Sequence, residues 1–100
     1  MKFTIENKKE NIVSLSRLIG YTLLSGNSDE HSMVRPLVGR DYPRFHIYMK
    51  TSKTPGVFEI NLHLDQKKPS YLGSRAHSGE HDGDLIEKEV GRIKNAAELN

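Results

Sequence analysis

Cysteine is absent from this 100-residue chain, and that one absence removes disulfide bonds and thiolate metal ligation together. Long hydrophobic runs are also missing. No stretch approaches the roughly 18 apolar residues needed to span a bilayer. The first residues, Met1-Lys2-Phe3-Thr4-Ile5-Glu6, do not carry the apolar run of a signal peptide. A cytoplasmic protein with no membrane partner is therefore expected. The chain has no internal repeat, no low-complexity segment and no phosphate-cradling glycine loop. Only 35% of its residues are apolar, against 28% charged. Those apolar residues are gathered into periodic segments, which predicts a single folded domain over residues 1–100 with a modest core.

Charge of either sign is nearly balanced, at a net +2, but its distribution is uneven. Residues 34–75 carry eight basic side chains against three acidic ones, and the remainder to the C-terminus carries three basic against six acidic. A basic middle can meet phosphates, and the same pattern also suits an ordinary solvated surface.

The periodicity predicts a helix first. Asn7 followed by Glu10 fits a capping box, and Ile12, Val13, Leu15 and Ile19 recur at helical spacing up to Gly20, a left-handed terminator. Tyr21-Thr22-Leu23-Leu24 reads as a short strand, with continuation of the helix to Ser25 as the alternative, and a polar turn from Gly26 to Ser32 follows. Met33-Val34-Arg35-Pro36-Leu37 reads as extended, with its proline at a strand end. Phe45, Ile47 and Met49 alternate with His46, Tyr48 and Lys50. Phe58, Ile60, Leu62 and Leu64 alternate with Glu59, Asn61, His63 and Asp65. The turn Lys53-Thr54-Pro55-Gly56 folds these two segments into a hairpin that pairs Ile47 with Leu62 and His46 with His63. Residues 66–83 read as a long irregular loop. A last helix follows, capped by Asp82 or Asp84, with Ile86, Val90, Ile93 and Ala97 on one stripe. The expected fold is α+β: helix, three- to four-stranded antiparallel meander, helix, with both helices on one sheet face and the other face polar and exposed.

Histidine is what the chain has in excess, with five in all. On the expected register His46 and His63 are direct cross-strand neighbours, and Asp65 points the same way. The loop would return His77-Ser78-Gly79-Glu80 toward that face. Histidine and carboxylate without thiolate suit zinc, manganese or non-haem iron. The candidate metal ligands are thus His46, His63, Asp65, His77 and Glu80, with Arg44 and Lys67 as anion contacts for a phosphate-bearing ligand. Each pairing is also an ordinary feature of a solvated sheet. No Ser–His–Asp triad is legible from the spacings.

Helix, meander and helix resemble the double-stranded-RNA-binding topology. Gly20-Tyr21, then Phe45-His46-Ile47-Tyr48, a strand ending at His63 and a final helix are similar to HicA-type mRNA-interferase toxins. That resemblance implies an RNA partner and gives His46 the cleaving role. The glycine-serine or glycine-threonine step of those toxins is replaced here by Arg44-Phe45, and Asp82, Asp84 and Glu87 make the last helix start acidic. Val34-Arg35-Pro36-Leu37, Asp41-Tyr42-Pro43-Arg44-Phe45-His46, His63-Leu64-Asp65-Gln66-Lys67-Lys68-Pro69-Ser70-Tyr71 and Ala76-His77-Ser78-Gly79-Glu80 resemble a family of small uncharacterised bacterial proteins. That likeness implies no activity. Three expectations follow: a metal- or phosphate-binding domain, an RNA-binding or RNA-cleaving module, and an interaction domain without a small-molecule site.

Overall fold

A computed structural model, which describes residues 1–26, 30–66, 79–80 and 83–98, places both alternating segments of the hairpin in strands and joins to them others whose sequences alternate less strictly. The order is β1 (Lys2–Glu6), α1 (Ile12–Leu18), β2 (Thr22–Gly26), β3 (His31–Pro36), β4 (Arg44–Thr51), β5 (Val57–Asp65), β6 (Gly79–Glu80) and α2 (Asp84–Glu98). All pairings are antiparallel, in the order β1-β5-β4-β3-β2, with β6 beside β5 beyond the end of β1. The α+β class stands, but a strand and not a helix comes first, and among the described residues the sheet has more than four strands. Phe3 and Ile5 are the reason. They alternate with Lys2, Thr4 and Glu6, and they complete the apolar face by pairing with Ile60 and Phe58 at the outer edge of β5.

The first helix starts later than Asn7 implies. Asn11 caps α1, its side chain accepting from the Ser14 N–H at 2.8 Å. Asn7 builds the preceding turn instead. Its Oδ1 accepts from the Lys9 and Glu10 N–H groups, each at 2.9 Å, and its Nδ2 donates to the Ala97 carbonyl at 2.8 Å. At the other end, Gly20 N–H donates to Arg17 O and Tyr21 N–H to Ser16 O, with Gly20 at φ +84. That is a Schellman ending, so the chain leaves the helix and enters β2 at Thr22. Asp84 lies inside α2 as its first residue, and Gly83 O accepts from the Glu87 N–H. Asp82 lies outside the described residues.

The hairpin adopts the expected register, with Thr51 opposite Phe58, Ile47 opposite Leu62 and His46 opposite His63. Gly56 makes the turn possible at φ +80. A Cβ there would lie 2.6 Å from Lys8 Cγ and 3.4 Å from Lys8 Cα. Gly56→Ala is therefore expected to cost about 1–2 kcal/mol, since an L side chain is strained in that conformation. A thermal melt lowered by about 5–15 °C checks this, and an unchanged melt refutes it.

Both helices pack on one sheet face. Leu15 from α1, Ile19 at its C-cap and Ile86, Ile93 and Ala97 from α2 join Met33, Phe45, Ile47, Met49, Ile60, Leu62 and Leu64 in one buried cluster. A polar knot closes that layer. Glu89, only 4% exposed, accepts from Tyr21 Oη at 2.6 Å and from Arg92 Nε and Nη2 at 2.8 Å each, while Arg35 Nη1 stands 3.5 Å away. Arg92 Nη2 also donates to Ile19 O at 2.6 Å, tying α2 to the end of α1.

The hydrogen bonds to Glu89 raise the Arg92 guanidinium above its ordinary value. Burial first, and the Glu89 charge second, push the Tyr21 hydroxyl well above its own. A folded-state value above the unfolded one contributes stability that is complete below about pH 10, the ordinary tyrosine value, and lost as pH rises past it. Urea midpoints should fall from about pH 9 to about pH 11, and Tyr21→Phe should flatten that fall. An equally steep fall in the variant would refute it.

No helix among the described residues is long and apolar enough to cross a membrane.

Candidate metal centre

The face away from the helices carries every second residue of the strands. Along β5 these are Glu59, Asn61, His63 and Asp65; along β4 they are Arg44, His46, Tyr48 and Lys50; along β3 they are Ser32, Val34 and Pro36. Arg44 opposes Asp65, His46 opposes both His63 and Val34, and Tyr48 opposes both Asn61 and Ser32. His46 thus sits on the central strand with a possible partner on either side. The face expected to be wet is half-buried here. The His46, His63 and Asp65 side chains are exposed by only 12%, 14% and 18%, which is low enough to strengthen their mutual electrostatics. Val34, on the same face, is buried.

Three aromatic rings crowd together on this face. The His46 ring centroid lies 4.7 Å from that of Tyr48 and 4.9 Å from that of His63, and Tyr48 stacks on His63 at 5.6 Å. Asp65 reaches across the hairpin to both imidazoles. Its Oδ2 lies 3.1 Å from His46 Nδ1, and its Oδ1 lies 3.3 Å from His63 Nε2. Arg44 Nε stands 3.6 Å from the same carboxylate, and its guanidinium lies over the Tyr42 ring at 4.5 Å from the centroid. On the far side of the His46 ring, Nε2 lies 2.6 Å from Ser32 Oγ.

The fold therefore brings together three of the proposed ligands, His46, His63 and Asp65, and one of the proposed anion contacts, Arg44. One ligand atom from each of the three ligands lies within 4.8 Å of the others. Lys67 and His77 lie outside the described residues. The Glu80 backbone is in β6, where it stands opposite Leu64, while Gly79 stands opposite Asp65. This segment thus returns to the edge of β5 at its last two residues. His31, the other described histidine, opposes Met49 and belongs to the helix-side register.

Sequence reasoning missed Ser32 and Tyr48 as parts of the site. The sequence reads Ser32 as part of a polar turn, but it lies in β3 opposite Tyr48, where the strand diagonal aims its hydroxyl at His46. Tyr48 was legible, since it alternates in phase with His46 on β4.

Two hollows flank the cluster. One of about 540 Å³ is lined by residues that include Lys2, Thr4, Tyr48, Lys50, Glu59 and Asn61. The other, about 260 Å³, is lined by Ser25, Gly26, Glu30, Ser32 and Tyr48. Tyr48 borders both, so the cluster lies beside recesses and not at the bottom of one. No family model matches the chain, and no curated protein or solved structure matches it.

Proposed function

We propose that His46, His63 and Asp65 bind one divalent cation, with zinc the best fit. The observation that carries this reading is that two imidazoles and a carboxylate on a half-buried face bring one ligand atom each within 4.8 Å of one another. In a tetrahedral zinc site with bonds of about 2.0–2.2 Å, neighbouring ligand atoms stand about 3.3–3.5 Å apart. The two nitrogen–oxygen separations here, 3.1 and 3.3 Å, are already close to that edge. Binding requires small rotations of the two rings and leaves the fourth position open. Ser32 would then accept a hydrogen bond from His46 Nε2–H and hold Nδ1 toward the cation, the usual outer contact of a ligating histidine.

Arg44 sets a limit on this reading and suggests an occupant for the open position. Its charge beside Asp65 opposes a second cation, which weakens the site. The same charge favours an anion on the metal, so a phosphate-bearing ligand held jointly by cation and guanidinium is the natural occupant. Among the described residues, the basic side chains Lys2, Arg44 and Lys50 of this face alternate with Glu59 and Asp65, a mixed field that suits a small ligand better than the backbone of an RNA.

Calorimetric titration of untagged, chelator-stripped protein with zinc chloride tests the proposal. One zinc per chain is expected, with affinity reduced about a hundredfold or more in His63→Ala. No binding heat, or equal binding by the variant, contradicts it.

A further inference from the structure

Ser32, His46 and Asp65 lie on one diagonal across β3, β4 and β5, and they make a connected chain. Ser32 Oγ is 2.6 Å from His46 Nε2, and Asp65 Oδ2 is 3.1 Å from His46 Nδ1. A ring nitrogen facing a carboxylate oxygen carries the proton, so in the neutral ring Nδ1 donates to Asp65 and Nε2 offers its lone pair to the Ser32 hydroxyl. That is the hydroxyl–imidazole–carboxylate order in which a base activates an attacking oxygen. The 260 Å³ hollow opens at Ser32, and the β2–β3 ladder is irregular beside it, shifting register between Leu23 and Ser25. Such bulges re-aim side chains and are common next to reactive sites.

We infer that, in the metal-free protein, Ser32 is a nucleophile toward small acyl esters. The Ser32 oxygen bonds to the acyl carbon while its proton passes to His46 Nε2. The carbon–oxygen bond to the leaving alcohol then breaks, and that alcohol takes the proton from Nε2. Water next attacks the acyl-serine and gives a proton to Nε2, and the Ser32 oxygen departs and recovers it, releasing the carboxylic acid. Asp65 keeps the ring in the required tautomer throughout. Ser25 and Tyr48 line the same hollow, and in this proposal their hydroxyls donate to the ester carbonyl. Glu30 on its rim selects uncharged or cationic acyl groups over anionic ones.

This activity goes beyond cation binding and excludes it in the same molecule, because a cation on His46 Nδ1 replaces the proton that Asp65 holds. Zinc-loaded protein is inert in this respect.

The test is a fluorophosphonate probe incubated with the full, chelator-stripped chain and read by intact mass and peptide mapping. One adduct per chain on Ser32 is expected. It should be absent in Ser32→Ala and slowed about a hundredfold or more in His46→Gln, in keeping with the contribution of a general base. Ser14→Ala, on α1, keeps full labelling, and melting curves confirm that each variant is folded. No adduct on Ser32, or an undiminished rate in folded His46→Gln, overturns the inference. Labelling that fails in protein that still binds zinc overturns this inference alone. Labelling that succeeds in protein without zinc affinity overturns only the cation reading.

Discussion

Glu89→Ala is expected to destabilise the protein by about 3 kcal/mol, the largest loss predicted for any single substitution here. Glu89 is buried, and it is the common acceptor for Tyr21, Arg92 and Arg35. Removing one partner of a buried ion pair usually costs about 3–5 kcal/mol, because the other charge is left without compensation. Both arginine side chains are 35% exposed, so water screens part of that loss. Tyr21 has no such relief, and a buried hydroxyl stripped of its acceptor costs about 1–3 kcal/mol. Chains of this length melt lower by about 4–8 °C per kcal/mol, which predicts a fall of about 12–24 °C. The double variant with Tyr21→Phe should be less destabilised than the two single losses added together, since the orphaned hydroxyl goes with the carboxylate. Chemical denaturation giving less than about 1 kcal/mol for Glu89→Ala would show that the knot is ornamental.

Zinc is expected to stabilise the native protein strongly and the His63→Ala variant by little. A ligand that binds only the folded state at a hundred times its Kd adds about 2.7 kcal/mol. On the same scale that is about 10–20 °C in Tm. The gain should shrink in acid, because ligating imidazoles must be neutral and proton competition weakens the site. Asp65→Asn should lose most of the gain as well, since it removes the anionic ligand that faces both rings. Arg44→Gln should enlarge it by removing the opposing charge. Equal shifts in native protein and His63→Ala would place zinc elsewhere on the surface.

The hairpin was the most legible part of the molecule. Strict alternation on both sides of Pro55-Gly56 excludes one-residue slips, and the four-residue turn then selects, over slips of two, the register that sets Ile47 opposite Leu62, Met49 opposite Ile60 and His46 opposite His63. Asp65 came with them by parity alone. The first strand escaped because it offers only Phe3 and Ile5, too short an alternation to stand out before its partner strand is known. Two asparagines four residues apart compete for one capping role, and the pattern gives no ground for preferring Asn11 over Asn7. Ser32 was hidden by its neighbourhood, a polar run that reads as turn until His31 is seen to pair with Met49. Glu89 could not be found from sequence. A carboxylate within an amphipathic helix reads as solvated, and one of the residues that neutralises it, Arg35, lies on a distant strand. The half-burial of the histidine face was equally illegible, since the contacts of His63 with His46 and Tyr48 exist only once the two strands lie side by side.

Histidine-selective nitrogen-15 NMR, with and without zinc, tests the central claim most directly, because it reads the state of each ring nitrogen separately. In the metal-free protein, His46 should carry its proton on Nδ1. On adding one equivalent of zinc, His46 should become metal-bound at Nδ1 with its proton moved to Nε2, and His63 should become metal-bound at Nε2, while the His31 ring stays as it was. Unchanged His46 and His63 signals, or a response confined to His31, would contradict the site described here.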